Sequence, residues 1–231
     1  MNGILKKVLT FFVLPLVIIG LVIVNVLSIM EPVKFNKEKD YRSEYAIQQL
    51  KDIRTLEVAF KSVNNRFTAS IDSLVDFYNN GEMEVIMQIG SKDDSAAVAH
   101  TEQVKKANKK ITTADLYEMY KAGDKNLVFS VASKVPVKES IFTDRENLDL
   151  SNLKYIPFSD GEEIITDAIV KTVSGVQVPL FEAKIPYKLL LKGLDNQLRI
   201  NLDAERRDQN KYEGLQVGSV TAPNNNAGNW E

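Results

Sequence analysis

The chain has 231 residues, 44% hydrophobic, 26% charged and 8% aromatic, which is the composition of a folded protein and excludes a disordered or collagen-like one. A formal net charge of −2, falling to −4 from Glu31 onward, lacks the basic excess of a nucleic-acid footprint, so no nucleic-acid partner is expected. The absence of Cys excludes disulfides, thiolate nucleophiles and thiolate metal sites, and a single His, His100, leaves few routes to a bound metal; no cofactor is expected.

Residues 8–30 form a run of 23 without a charge, 18 of them apolar. As a helix this run reaches roughly 35 Å, enough to cross a hydrocarbon core of roughly 30 Å. Lys6 and Lys7 resemble the charged start of an export signal. The apolar run is too long for a cleaved signal, however, and residues 26–30 offer no small-x-small site, so an uncleaved signal anchor is expected. Lys34, Lys37, Lys39 and Arg42 follow the span closely, and counting positive charges does not decide the orientation. The charged start before a long apolar run favours a short cytoplasmic tail, 1–7, and an exported C-terminal part.

Beyond the span, Pro32 is expected to break the helix, leaving 31–42 as a charged juxtamembrane linker. A helix is predicted over 43–67, with Ala46, Leu50, Ile53, Phe60 and Phe67 on one face, Leu56 and Val63 beside them and Glu57 interrupting the seam. A second helix follows over 70–79 and stops at Asn79-Asn80-Gly81, making 43–80 a helical stalk or helix pair. The seam packs either on the chain's own sheet or on a partner helix, which makes Leu50, Ile53 and Phe60 candidate partner contacts.

An envelope domain is expected over 81–222. Alternation predicts a strand over 84–89, a lysine-rich surface helix within 92–111, a short helix over 114–122 capped by Thr112 or Thr113, and a strand over 126–137. Ser174-Gly175 between two apolar runs, 163–173 and 176–185, predicts a hairpin, because Gly supplies positive φ. Pro179 shifts the phase of the second run, which predicts a bulge or an edge strand there. A short element over 187–191, a helix over 196–207, a strand over 215–220 and a polar tail, 223–231, complete the chain. The sum is an α+β fold with a mainly antiparallel sheet and packed helices behind an N-terminal transmembrane helix.

The chemistry-bearing residues form no convincing site. Ser151 and Lys154 fit S-x-x-K, and Ser159-Asp160-Gly161 resembles part of a second β-lactamase element, but the spacing is wrong and no K-T-G exists. Glu162-Glu163 reads as a solvated turn, Asp93-Asp94 lacks the alternating ligands of a calcium loop, and no phosphate-cradling glycine loop occurs. Lys105, Lys106, Lys109 and Lys110 read as a solvated helix face. Trp230, the only Trp, sits in a tail of Asn and Gly; it is expected to dock on its own domain or to be captured by a partner.

Val178-Pro179-Leu180-Phe181-Glu182-Ala183, Leu191-Lys192-Gly193-Leu194-Asp195, Gly214-Leu215-Gln216-Val217-Gly218-Ser219 and the 224–231 ending resemble a family of single-pass envelope proteins of Bacteroidota with no assigned activity. The resemblance covers most of the chain and implies a bacterial inner-membrane setting. The layout is also similar to type IV pilins and pseudopilins, but a pilin would carry Glu at the fifth position after Gly3, where this chain has Val8, and Pro32 interrupts the helix a filament core needs. Bitopic assembly-platform proteins offer a closer analogy of layout. The expectation is a non-enzymatic, membrane-anchored scaffold or assembly subunit that binds an envelope protein or itself. A filament subunit and a ligand-binding or hydrolytic envelope domain are the alternatives.

Overall fold

The computed structural model describes Gly3, residues 9–145 and residues 148–231. The remainder of the expected cytoplasmic tail, and Val8 at the start of the span, lie outside the described residues. The fold is mixed α+β, with two small antiparallel sheets.

A π-helical turn, Leu9–Val13, leads into α1, Leu14–Asn64, a single helix of 51 residues that is long and apolar enough to cross a membrane. Pro32 lies inside α1 and does not break it. The expected linker 31–42 is therefore helix. An interior proline removes one backbone hydrogen bond and costs about 3 kcal/mol. Contacts just beyond it hold the next turns in place: Phe35 is buried, and Arg42 pairs with Glu38 at 2.9 Å and donates to the carbonyls of Leu190 (3.2 Å) and Lys192 (2.9 Å). α1 ends where Asn65 turns to φ 56°, a left-handed conformation that Asn tolerates.

The chain divides into two units, Met1–Arg54 with Ser151–Glu231, and Thr55–Leu150. In the first, β3 (Ile165–Val173), β4 (Val176–Pro186) and β5 (Gly214–Gly218) form an antiparallel sheet in the order β3-β4-β5, with α6 (Tyr187–Leu190) and α7 (Asn196–Asp208) between β4 and β5. Gln49 ties α1 to the 152–155 loop by donating to the Leu153 and Tyr155 carbonyls at 2.7 and 2.8 Å.

The β3–β4 hairpin turns through Ser174 (φ 51°) and Gly175 (φ 83°), the two positive φ values of a type I′ turn. Its register runs without interruption from Val173↔Val176 to Ile165↔Lys184, so Pro179 makes no bulge. β4 is instead the central strand. A two-residue turn makes Val173↔Val176 a hydrogen-bonded pair, and alternation then points the nitrogen of Pro179 away from β3. β5 pairs only with Glu182 and beyond, so the missing N–H faces no strand and costs no ladder bond. The phase shift has a plain cause: Leu180, Phe181, Glu182 and Ala183 are all buried, because both faces of that stretch are covered.

The second unit holds α2 (Ile71–Asn80), β1 (Glu82–Ile89), α3 (Ser95–Ala107), α4 (Thr113–Lys121), β2 (Phe129–Pro136) and α5 (Val137–Ser140). Ser70 caps α2, Asp94 caps α3, and Thr112 with Asp115 forms a capping box on α4. β1 and β2 pair antiparallel from Glu82↔Pro136 to Ile89↔Phe129, with α3 and α4 in the connection. Leu116, Leu127, Phe129 and Val131 make a core cluster against which Ile89, Val104 and Ile111 pack.

Candidate functional site

The residues predicted to meet a partner go to different places. Leu50 and Ile53 are fully buried within the chain, so neither offers a surface to a partner; the apolar seam of α1 is consumed by the chain's own packing. Phe60 is half-buried in an edge-to-face contact with Phe77, ring centroids 5.3 Å apart. Trp230 is half-buried in the docked tail.

The tail is a built element. Asn225 (φ 55°) and Asn226 (φ 57°) make a second turn with two positive φ values, closed by the Ala227 N–H donating to the Asn224 carbonyl at 3.1 Å. Asn is the non-glycine residue that best tolerates this conformation. The chain then returns along β5: Gly218 N–H donates to Ala227 O (3.1 Å), Asn229 N–H donates to Gln216 O (2.9 Å), and Val217 bridges Gly228 antiparallel. The Asn229 amide accepts from Gln216 N–H and donates to Gly214 O, imitating one more residue of strand. The tail thus covers the β5 edge of the sheet. The three consecutive Asn residues, 224–226, are the local signal for this turn, which polarity alone does not reveal.

Beyond its apolar stretch, α1 leaves two aromatic rings outward, Tyr41 and Tyr45. Tyr41 and Tyr45 meet edge-on at 5.0 Å, and both lie about one ring from Phe158, at 6.1 and 6.0 Å, with the Arg42 guanidinium 4.9 Å from the Phe158 centroid. All three rings are exposed. Phe158 sits at φ 62°, an uncommon conformation for an aromatic residue, in a turn held by buried Ser159, whose hydroxyl donates to Ile156 O and accepts from Glu162 N–H. Ser159 therefore serves the turn. Lys154 of the S-x-x-K match places its ammonium 3.6 Å from Glu163 and over the Tyr155 ring.

A polar groove of about 700 Å³ lies between α7 and residues 211–213, with Asp203, Arg199, Arg207, Glu213, Lys188 and Lys211 on its wall. Arg199 donates to Asp203 at 2.5 Å, and Arg207 pairs with Glu213 at 2.7 Å. The second oxygen of Asp203 is buried without a hydrogen-bond partner. Burial raises the Asp203 carboxyl, against the opposing pull of Arg199, and the Arg207 hydrogen bond holds Glu213 below the usual range. The groove can accept a hydrogen bond from a ligand and offer cations to an anionic group.

His100 has a partner that spacing did not reveal: its Nε2 lies 2.9 Å from Asp124, which the hydrogen bond holds below the usual carboxylate range. The two are 24 positions apart, joined through α3 and α4. Among the described residues no group of three or more His, Cys, Asp or Glu could hold a metal ion.

Compared with protein-family models, curated proteins and solved structures, the chain matches none.

Proposed function

We propose that the chain is a membrane-anchored scaffold or assembly subunit of a bacterial envelope complex, non-enzymatic, with residues 8–30 in the inner membrane and the folded part exported. One observation carries this reading: the apolar stretch and the segment bolted to the sheet-bearing unit are the same helix, α1, through Pro32. An anchor joined to its domain by a continuous helix transmits position and orientation, which a flexible tether would not. The resemblance to single-pass envelope proteins supports the setting. Crosslinking the tagged full chain in native membranes, followed by detergent purification, is expected to return a discrete complex with another envelope protein. Recovery of the chain free of any other protein would count against the role. Protease added outside intact spheroplasts is expected to degrade the folded part; protection of that part would reverse the orientation.

The α7 groove favours a second reading, a ligand-binding envelope domain, because the buried Asp203 oxygen lacks a donor that a bound hydroxyl or amine would supply. Asp203→Asn separates the two: it alters ligand uptake in the second reading and leaves complex formation intact in the first. The unbroken α1 removes the objection that Pro32 raised against a filament subunit. Processing after Gly3 would identify that case.

A further inference from the structure

The uncharged run of α1 ends at Met30, and Glu31 and Lys34 are the first charges after it. A helix rises about 1.5 Å per residue, which puts Lys34 roughly 6 Å beyond Met30. A headgroup layer is about 5–7 Å deep on each side of the hydrocarbon, so with residues 8–30 in the bilayer both charges lie among headgroups. Helix side chains lean toward the N-terminus, here toward the bilayer.

A second wall stands beside these charges. A groove of about 710 Å³ runs between Leu27, Met30, Glu31 and Lys34 of α1 and the turn that opens α7, Leu194 with Asp195. That turn is fastened to α1, because Arg42 donates to the Leu190 and Lys192 carbonyls, and Phe35 on the same groove is buried. One end of the groove is apolar and open, with Leu27 60% and Met30 45% exposed. Its other charges are only partly used. The Glu31 and Lys34 side chains make no ion pair or hydrogen bond among the described residues. Asp195 gives one carboxylate oxygen to the Leu198 N–H at 2.7 Å as the cap of α7 and keeps the other. Glu38 is already engaged by Arg42 at 2.9 Å. What remains is two carboxylates and one ammonium beside an apolar strip that continues into the span.

We propose that this groove holds one phospholipid of the phosphatidylethanolamine class. Lys34 donates to the phosphate, the primary ammonium of the lipid donates to Glu31 and to the second oxygen of Asp195, and an acyl chain follows Met30 and Leu27 into the bilayer. The charges select the headgroup. A primary ammonium brings three donors to two carboxylates, whereas choline brings none. An anionic headgroup would set its net negative charge against a groove whose free charges already sum to one negative, and like charges repel. The inference rests on the membrane anchoring proposed above and names the lipid chemistry that the exit of the anchor recognises.

The test uses the full chain. It is reconstituted into vesicles of dioleoyl phosphatidylethanolamine, phosphatidylcholine and phosphatidylglycerol in equal parts, re-extracted in mild detergent, and its retained lipid is read by native mass spectrometry. Phosphatidylethanolamine is expected to be retained over phosphatidylcholine by about tenfold, the worth of one charge-assisted contact. Glu31→Gln with Asp195→Asn is expected to abolish that preference, and because Asn caps a helix as well as Asp does, the start of α7 survives the change. Lys34→Gln lowers retention of both zwitterionic lipids, since both carry the phosphate. Glu44→Gln, an exposed carboxylate of α1 outside the groove, leaves the preference intact. Equal retention of the three lipids, a preference for phosphatidylglycerol, or a preference that survives Glu31→Gln with Asp195→Asn overturns the site. A chain that fails to co-sediment with vesicles removes the anchor itself, whereas one that co-sediments without lipid preference removes only the site. Selective lipid retention by a chain that brings down no other envelope protein upholds the site and removes the scaffold role.

Discussion

Arg54 Nη1 lies 2.6 Å from Glu231 Oε1, an ion pair across 177 positions of sequence that fastens the returning tail to α1. The Arg54 hydrogen bond, helped by the Gly228 N–H, holds the Glu231 carboxyl below its ordinary value of 4.5. A lowered carboxylate pKa stabilises docking above the ordinary value, and that stabilisation is lost as pH falls through the lowered one. Trp230 is the only Trp, so its emission reports on the tail. Acid titration is expected to shift that emission to the red below about pH 4.5. Arg54→Ala should give the red-shifted signal at neutral pH and remove the acid step; a step that survives in Arg54→Ala would show another carboxylate to be responsible.

Gly228 lies under the Trp230 indole, where an added Cβ would come within 2.4 Å of the ring. The ring must move or the tail must lift, at a cost of about 1–3 kcal/mol. Gly228→Ala is therefore expected to expose Trp230 to iodide quenching while leaving the far-UV spectrum of the remaining fold nearly unchanged. Unchanged quenching would mean that the indole tolerates the methyl and does not latch the tail.

The parts of the fold that could be read from the sequence are those fixed by local physics. Ser174-Gly175 fixed a turn because few residues supply positive φ, and Thr112 fixed a helix start because its hydroxyl caps a backbone donor. Pro32 misled because its cost is local, whereas the contacts that offset it, Phe35 burial and the Arg42 bonds to Leu190 and Lys192, come from residues distant in sequence. Pro179 misled for a related reason: whether a missing N–H matters depends on whether a strand lies beside it. At the candidate site, the spacing of Leu50 and Ile53 marks a seam, but periodicity cannot say whether the chain itself fills it. Tyr41 and Tyr45, one helical turn apart, carried a readable signal, although Phe158 completes the cluster only through tertiary folding.

Continuity of α1 through Pro32 has a measurable geometry. Spin labels at Val26→Cys and Asp40→Cys lie 14 residues apart on nearly the same face, so their Cα separation is about 21 Å in an unbroken helix. A narrow distance distribution near that value is expected in bilayers. A broad distribution would mean that 31–42 acts as a hinge, and would remove the rigid anchor on which the scaffold role depends.

Glu57 tests whether a charge in the seam of α1 is carried as a charge at all. Its side chain is 2% exposed and accepts the Thr68 N–H at 3.1 Å, and burial pushes its carboxyl up to about 8. Between its ordinary value of 4.5 and about 8 the folded chain holds a proton that the unfolded chain has released. Stability therefore falls as pH rises through that window and levels off above it, a loss on the order of 5 kcal/mol. Glu57→Gln keeps an oxygen for the Thr68 N–H and has no proton to lose. It is expected to match the parent near pH 4, to exceed it at pH 9, and to flatten the slope between, as read from urea unfolding of the full chain in detergent. Equal slopes in parent and variant would show that the Glu57 carboxyl ionises in the folded chain as it does in the unfolded one.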